Sequence, residues 1–270
     1  MSFYENCGND KKLSVIAGPC AFETKDHAVE TAEEIRDICN SLDINFIYKT
    51  SFDKANRSSA SSFRSAGFDE AFYGMEAVRA RGIEVLTDVH EPWHCEQVQA
   101  DILQIPAFLC RQTDLIQAAA QSGKPVNVKK GQFLSPWEMM NVVAKLRTFG
   151  CDNHMLTERG TTFGYNNLVV DMRSLEVMKQ YTKNVVMDCT HAVQLPGAHG
   201  DSSGGQRQYV PTMARAAEAV GVSAVFIETH QSPESAPSDG SNMLYLSDLR
   251  ALLSQLIELD YIVKGKKTHG

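Results

Sequence analysis

Eight short runs rich in Val, Ile and Leu punctuate the chain, at 13–17, 45–48, 84–87, 102–105, 126–128, 155–157, 185–187 and 225–227. Longer segments with helical spacing separate them, among them 26–41, 69–81, 136–148, 207–220 and 247–259. Strand-length runs that alternate with helices in this way imply parallel strands joined by crossover helices. No stretch rich in Pro, Gly and Ser divides the series, so the pattern predicts one α/β domain over 1–270. Eight strands in 270 residues fit a closed (β/α)8 TIM barrel, a fold that uses about 250 residues. Ser135-Pro136 with Glu138 marks one helix start, because Pro needs no donor in the first turn and an acid suits the free amides there. Residues 264–270 are polar and are expected to fray.

The strand ends carry polar groups as regular as the strands themselves. In order, these are Cys20, Lys49, Asp88, Gln104, Lys129, Glu158 with Arg159, Asp188 with His191, and Glu228. A barrel gathers such positions at its C-terminal face, where barrel enzymes place their sites. The second strand runs into the densest set: Lys49, Lys54 and Arg57 supply three cations within nine positions. Ser51, Asn56, Ser58 and Ser59 add neutral donors suited to phosphate oxygens and sugar hydroxyls. Together with Lys129 and Arg159, these cations would repel one another unless an anion filled the face, which predicts a site for phosphate or carboxylate groups.

The net charge of −7 argues against a nucleic-acid surface, while a locally basic cleft can still hold an anion. Residues 1–12 lack the apolar core of a signal peptide and no run reaches the length of a membrane span, so the chain is expected to be cytoplasmic and to have no membrane partner. Seven scattered cysteines without C-x-x-C spacing read as reduced, packed residues and not as a disulfide framework.

A second constellation consists of Cys20, His191, Glu228 and Asp239, placed just after strands one, seven and eight. Strands eight and one are neighbours in a closed barrel, so these groups can meet. Mixed sulfur, nitrogen and oxygen donors suit a borderline divalent ion such as Zn, Fe(II), Mn or Co better than Mg or Ca. His230 and Glu234 compete as ligands, and a cluster satisfied by its own hydrogen bonds is the alternative. The glycine-bearing loops 160–167 and 197–205 could close over a substrate. No P-loop, strand-linked G-x-G-x-x-G or G-x-S-x-G elbow is present. Trp93 and Trp137 read as packing residues at helix starts, and His27, His90, His94, His154, His199 and His269 have no evident partner.

At these residues the sequence resembles the 3-deoxy-D-manno-octulosonate 8-phosphate synthases, also called 2-dehydro-3-deoxyphosphooctonate aldolases. The carriers are Ile16-Ala17-Gly18-Pro19-Cys20, Lys54-Ala55-Asn56-Arg57-Ser58-Ser59, Gln104-Ile105-Pro106-Ala107-Phe108 with Arg111, Val128-Lys129-Lys130-Gly131, Thr157-Glu158-Arg159-Gly160 and Thr190-His191-Ala192-Val193-Gln194. The resemblance implies condensation of phosphoenolpyruvate with D-arabinose 5-phosphate, with release of phosphate, in KDO and lipopolysaccharide biosynthesis, on a barrel that assembles as a homotetramer. It assigns Lys49, Ser51, Lys54, Lys129 and Arg159 to phosphoenolpyruvate, and Asn56, Arg57 and Ser58 to the aldose phosphate, with Asp88 facing the sugar. Gln104, Pro106, Ala107 and Phe108 match a wall between the substrates, and Arg111 an arginine lent to the neighbouring subunit. The candidate catalytic groups are Lys54, Lys129, His191 and Asp239. Cys20 matches a metal ligand that a metal-independent branch replaces with Asn, whereas Gly240 is shared with that branch. The nearest rival is a 3-deoxy-D-arabino-heptulosonate 7-phosphate synthase acting on erythrose 4-phosphate, which resembles Lys-Pro-Arg-Thr where this chain has Lys54-Ala55-Asn56-Arg57. A non-catalytic phosphosugar-binding barrel is the alternative from another class.

Overall fold

The computed structural model describes residues 1–56, 59, 63–198 and 203–265. Arg57, Ser58, His199 and His269 therefore lie outside the described residues. Eight parallel strands form a barrel: β1 (Ser14–Gly18), β2 (Asn45–Lys49), β3 (Val85–Asp88), β4 (Ile102–Ile105), β5 (Val126–Lys129), β6 (His154–Glu158), β7 (Val185–Asp188) and β8 (Ala224–His230). Each pairs with the next, and β8 closes on β1 in a register from Ser14 opposite Ala224 to Gly18 opposite Glu228. The main helices are α1 (Lys25–Ser41), α2 (Phe68–Arg79), α3 (Thr113–Gln121), α4 (Met139–Thr148), α5 (Arg173–Lys179), α6 (Val210–Val220) and α7 (Leu246–Lys264). This is the (β/α)8 architecture that the alternation of runs predicts.

Side chains that alternate along the strands split into two packed layers. Ile16, Ile47, Leu86, Ile102, Met155, Val186 and Phe226 fill the barrel, and Phe3, Tyr4 and Cys7 from the N-terminal stretch pack with them. Full burial of a Phe such as Phe3, which is 1% exposed, contributes about 2–3 kcal/mol. Val15 and Ala17, offset by one residue from Ile16, face the helices instead. Gly18 lets β1 pass close to β2, since a Cβ there would stand 2.1 Å from the Lys49 carbonyl oxygen.

The structure departs from the sequence reading at several ends. Strand β8 runs on to His230, not stopping at 227, because its tail gains a partner: Thr229 pairs with Leu244 and His230 with Tyr245. Ser135 and Glu138 do form a reciprocal capping box, but the first turn, Pro136–Glu138, is a 3-10 helix. Helix α7 continues through Lys264, whose ammonium lies 2.6 Å from Asp260, so Lys264 is not part of a frayed tail. Trp93 and Trp137 are not packed interior residues, being 47% and 63% exposed. Both sit where an outward helix face begins, and Trp93 packs edge-on against His94 and Phe68.

Candidate active site

The strand ends converge on a cavity of about 520 Å³ at the C-terminal face. Lys49, the last residue of β2, is fully buried and donates from Nζ to Glu228 Oε1 at 2.8 Å, with Asp88 Oδ2 at 3.8 Å. Burial alone would lower this ammonium, but the Glu228 and Asp88 carboxylates outweigh it and hold the pKa above its ordinary value. Burial likewise works against the charge on Asp88, and Lys49, Lys54 and Lys129 overcome it and keep the carboxyl well below the usual range. Ser51 Oγ donates to Asp88, and Lys54 Nζ donates to Ser51 Oγ at 2.9 Å. Behind Asp88 a chain of amides crosses the barrel. Thr157 Oγ1 donates to Asn127 at 2.7 Å, Asn127 Nδ2 to Gln104 at 2.9 Å, and Gln104 Nε2 to Asp88 Oδ1. Each amide is thereby fixed end for end.

Across the cavity, Lys129 Nζ donates to Asp188 Oδ2 at 2.6 Å and stands 3.8 Å above the centre of the Phe226 ring. Arg159 is held from behind. Its Nη2 donates to Gln194 Oε1 at 3.0 Å, while its backbone N–H and that of Gly160 donate to Glu158. Its Nη1 is buried and has no hydrogen-bond partner among the described residues, and burial lowers the guanidinium pKa against the pull of Asp188 and Asp239. Arg159 lines the cavity, and a buried guanidinium with one unpaired nitrogen at such a wall can receive a phosphate or carboxylate oxygen.

The expected self-repulsion of the face does not hold for Lys49 and Lys129, because carboxylates from other strands neutralise them. The unmet demand is concentrated at Arg159 instead.

Cys20 Sγ, one Glu228 oxygen and one Asp239 oxygen lie within 4.8 Å of one another. Cys20 Sγ is 3.0 Å from Asp239 Oδ2. Asp188 Oδ2 accepts from His191 Nδ1 at 2.8 Å, which leaves Nε2 facing Glu228 Oε2 at 3.5 Å. That Glu228 oxygen is buried and has no hydrogen-bond partner among the described residues. Burial, then the Glu228 charge, pushes the Cys20 thiol up to about 12. Asp239 adopts φ 55°, a left-handed conformation uncommon for Asp that aims its carboxylate at this cluster. A soft sulfur and two carboxylates, one with an orphaned buried oxygen, fit a divalent ion, while His191 stands outside this three-residue group and reaches it only through Glu228.

The competing ligands go elsewhere. Glu234 bonds Tyr245 and Arg207 at the surface. His230 Nδ1 accepts from the Ser232 backbone at 2.9 Å, so its Nε2 carries the proton and donates to Glu23 at 2.9 Å. His27 packs beside it, with ring centroids 4.8 Å apart. Glu23, His27 and His230 thus come together as a second group of possible ligands between the loop after β1 and the end of β8, with their ligand atoms within 4.8 Å of one another and buried His27 Nδ1 without a hydrogen-bond partner among the described residues.

The cavity is lined by Lys49, Lys54, Asn56, Asp88, Pro106, Ala107, Phe108, Lys129, Arg159, His191 and Asp239 among the residues that the sequence singles out. Ser51 and Gln104 are not among the lining residues and contact Asp88 by hydrogen bonds. Arg111 is exposed and away from the cavity. Two participants lacked a sequence signal of their own, Phe226 under the lysines and His90 in the lining, and Gln194 between Arg159 and Asp239 stood out only as the end of the Thr190-His191-Ala192-Val193-Gln194 run. Asp188 was visible as a strand-end residue, but its double hold on Lys129 and His191 was not.

A closed barrel with buried lysines, an open arginine and a mixed-donor cluster at its C-terminal face defines an enzyme that handles phosphorylated or carboxylated small molecules. The model of the DAHP synthetase I family matches residues 4–265. A Rhodopseudomonas palustris protein named 2-dehydro-3-deoxyphosphooctonate aldolase is 55% identical over 267 residues, covering 97% of this chain and 93% of that protein. Proteins of the same name from Caulobacter vibrioides (53% identical over 96% of this chain and 91% of that protein) and Cyanothece sp. (52% over 93% of each) agree. The chain belongs to the 2-dehydro-3-deoxyphosphooctonate aldolase group of this family, whose members are aldolase-type synthases.

Proposed function

We infer that the chain condenses phosphoenolpyruvate with D-arabinose 5-phosphate and water, giving 3-deoxy-D-manno-octulosonate 8-phosphate and inorganic phosphate for KDO biosynthesis. The observation that carries this reading at the site is Arg159, which lines the cavity together with Lys129 and Lys49 and whose buried Nη1 has no hydrogen-bond partner among the described residues. Two multiply charged anions repel each other, so joining their carbons needs fixed cations on both sides. Arg159 and Lys129 take the phosphate and carboxylate of phosphoenolpyruvate, and Asp188 and Glu228 keep Lys129 and Lys49 in place. C3 of phosphoenolpyruvate attacks the sugar aldehyde and water adds at C2. The tetrahedral intermediate then expels phosphate by C–O cleavage. Asn56 at the cavity rim, with Arg57 and Ser58 beyond it in sequence, takes the aldose phosphate.

Cys20, His191, Glu228 and Asp239 hold a divalent ion in this reading, placing the chain in the metal-dependent branch. Such an ion supplies Lewis-acid polarisation of a substrate oxygen or of water. Arg111 serves a neighbouring subunit of a homotetramer; the exposed Phe108, Phe133 and Trp137 on loops after β4 and β5 support a subunit contact. No helix among the described residues is long and apolar enough to cross a membrane, and we place the reaction in the cytoplasm.

The test is phosphate release from phosphoenolpyruvate with arabinose 5-phosphate and erythrose 4-phosphate in turn. The five-carbon sugar should win clearly in kcat/KM, because a fixed anchor misplaces the shorter aldehyde by about one bond length and near-attack geometry tolerates little error. Equal or faster turnover of erythrose 4-phosphate would assign the chain to the other synthase.

A further inference from the structure

Gln194 occupies a decisive place between the two halves of the site. It is 8% exposed and lies just after His191 on the loop that leaves β7. Its Oε1 accepts from Arg159 Nη2 at 3.0 Å, and its Nε2 donates to Asp239 Oδ1 at 3.1 Å. The orientation is forced, since a guanidinium only donates and a carboxylate only accepts. One amide therefore joins the open anion receptor to the mixed-donor cluster. Among the described residues the same seam is closed twice more. Gly205 packs so tightly on Asn242 that a Cβ would fall 1.4 Å from its Oδ1, and Arg207 Nη2 donates to the Gly240 carbonyl at 2.6 Å. The left-handed Asp239 is thus held by its neighbours, and Gln194 is the contact that reaches the arginine.

We propose that Gln194 is a positioning residue that couples phosphoenolpyruvate binding at Arg159 to divalent-metal binding at Asp239, so that each ligand tightens the site for the other. This rests on the proposed roles of Arg159 as anion receptor and of Asp239 as metal ligand. When an anion takes Arg159 Nη1, the guanidinium is fixed in plane. Its Nη2 then fixes the Gln194 amide, and the amide holds Asp239 in the orientation that aims Oδ2 at Cys20. Coupling of this kind is reciprocal by linkage, and typical factors are about 5–150-fold.

The experiment titrates Co²⁺ into metal-free protein and monitors the thiolate-to-cobalt absorbance from Cys20, with and without saturating phosphoenolpyruvate. The reverse titration of phosphoenolpyruvate is run with and without Co²⁺. In the native protein each ligand should tighten the other at least about 10-fold, part of it direct attraction between opposite charges. In the Gln194→Met variant, which keeps the length of the side chain but neither hydrogen bond, the coupling factor should fall at least about five-fold, while each ligand alone still binds within a few-fold of native.

The Gln194→Glu variant is the second arm. It still accepts from Arg159 but cannot donate to Asp239, and its coupling should fall as well. Coupling that stays native in either folded variant overturns the proposal, as does a native protein in which neither ligand affects the other. Failure of native protein to release phosphate from phosphoenolpyruvate would defeat the functional reading instead. Failure to bind Co²⁺ with the thiolate band would defeat the metal reading and this proposal together.

Discussion

Each end of the barrel buries a group of charges, and the two groups differ in their surroundings. At the N-terminal end Glu218 and Asp260 are fully buried, with Lys264 Nζ 2.6 Å from Asp260 and 3.7 Å from Glu218. Asp260 also accepts from the Leu13 backbone at 3.1 Å, tying α7 to the start of β1. Burial raises Glu218, so it keeps a proton. Burial would raise Asp260 too, but its hydrogen bonds with Glu218 and Lys264 hold it low. One cation, one anion and one neutral acid balance the charge within the fold.

At the C-terminal end Lys49 and Lys129 are also neutralised, and Arg159 Nη1, on a residue that lines the cavity, and Glu228 Oε2 are buried without hydrogen bonds among the described residues. A buried unmet polar atom costs about 1–3 kcal/mol. The N-terminal cluster carries such atoms too, at Glu218 Oε1 and Oε2, which accept no hydrogen bond among the described residues; what sets the C-terminal end apart is that Arg159 also lines the cavity of about 520 Å³. The comparison teaches that neither a buried ion pair nor an unpaired buried atom marks a site by itself; an unpaired cation on the wall of a cavity does.

The sharpest way to break this contrast is to remove that cation. Arg159→Ala should lower kcat/KM for phosphoenolpyruvate by about 10²–10³-fold, the scale for losing a charge-assisted anion contact. The melting temperature should hold or rise, because an incompletely paired buried cation is lost with the side chain. A large fall in melting temperature with modest kinetic change would make Arg159 structural and erase the difference between the two ends. Metal removal probes the other open atom. Chelation should cut turnover by at least about 10²-fold and a divalent ion should restore it. The Cys20→Asn variant should bind metal weakly and keep partial activity. Full activity in protein shown metal-free by elemental analysis would end the metal reading.

The N-terminal cluster should answer in stability and not in turnover. Lys264→Met strands the Asp260 charge, and breaking a buried pair from one side costs about 3 kcal/mol or more. For a chain of this size that lowers the melting temperature by roughly 6–10 °C, with kcat/KM per folded molecule unchanged. A loss of specific activity without loss of stability would mean the two ends are not separate.

The sequence shows one end far better than the other, for physical reasons. Strand-end residues such as Lys49, Lys129 and Arg159 were legible because a parallel barrel sends every strand's C-terminal end to one face. Their partners were not, since Lys49 meets Glu228 across 179 positions and only barrel closure brings them together. Gln194 looks like any loop amide until Arg159 and Asp239 stand on its two sides. Glu218, Asp260 and Lys264 sit among helical residues whose polar members ordinarily face water. Only the docking of α6 against α7 and the Leu13 backbone buries them.

The smallest expected effect concerns the proton on Glu218. Its folded pKa is raised from an ordinary 4.5 to about 9, chiefly by burial. Its stabilising contribution is therefore full below its unfolded pKa and is lost as pH rises toward the folded value, because the unfolded chain gives up that proton first. Asp260 is held low, so it is ionised in both states through the same window and adds no slope there. Wild-type stability should fall between pH 6 and 9, by at most about 1.4 kcal/mol per pH unit for one proton. The Glu218→Gln variant can still donate to Asp260 but has nothing to titrate, so its urea midpoint should drift less over the same range. The two midpoints should separate step by step as pH rises, with the variant gaining on the wild type. Parallel curves from pH 6 to 9 would mean that Glu218 carries no extra proton in the folded state, and the N-terminal cluster would then hold uncompensated charge like the catalytic end.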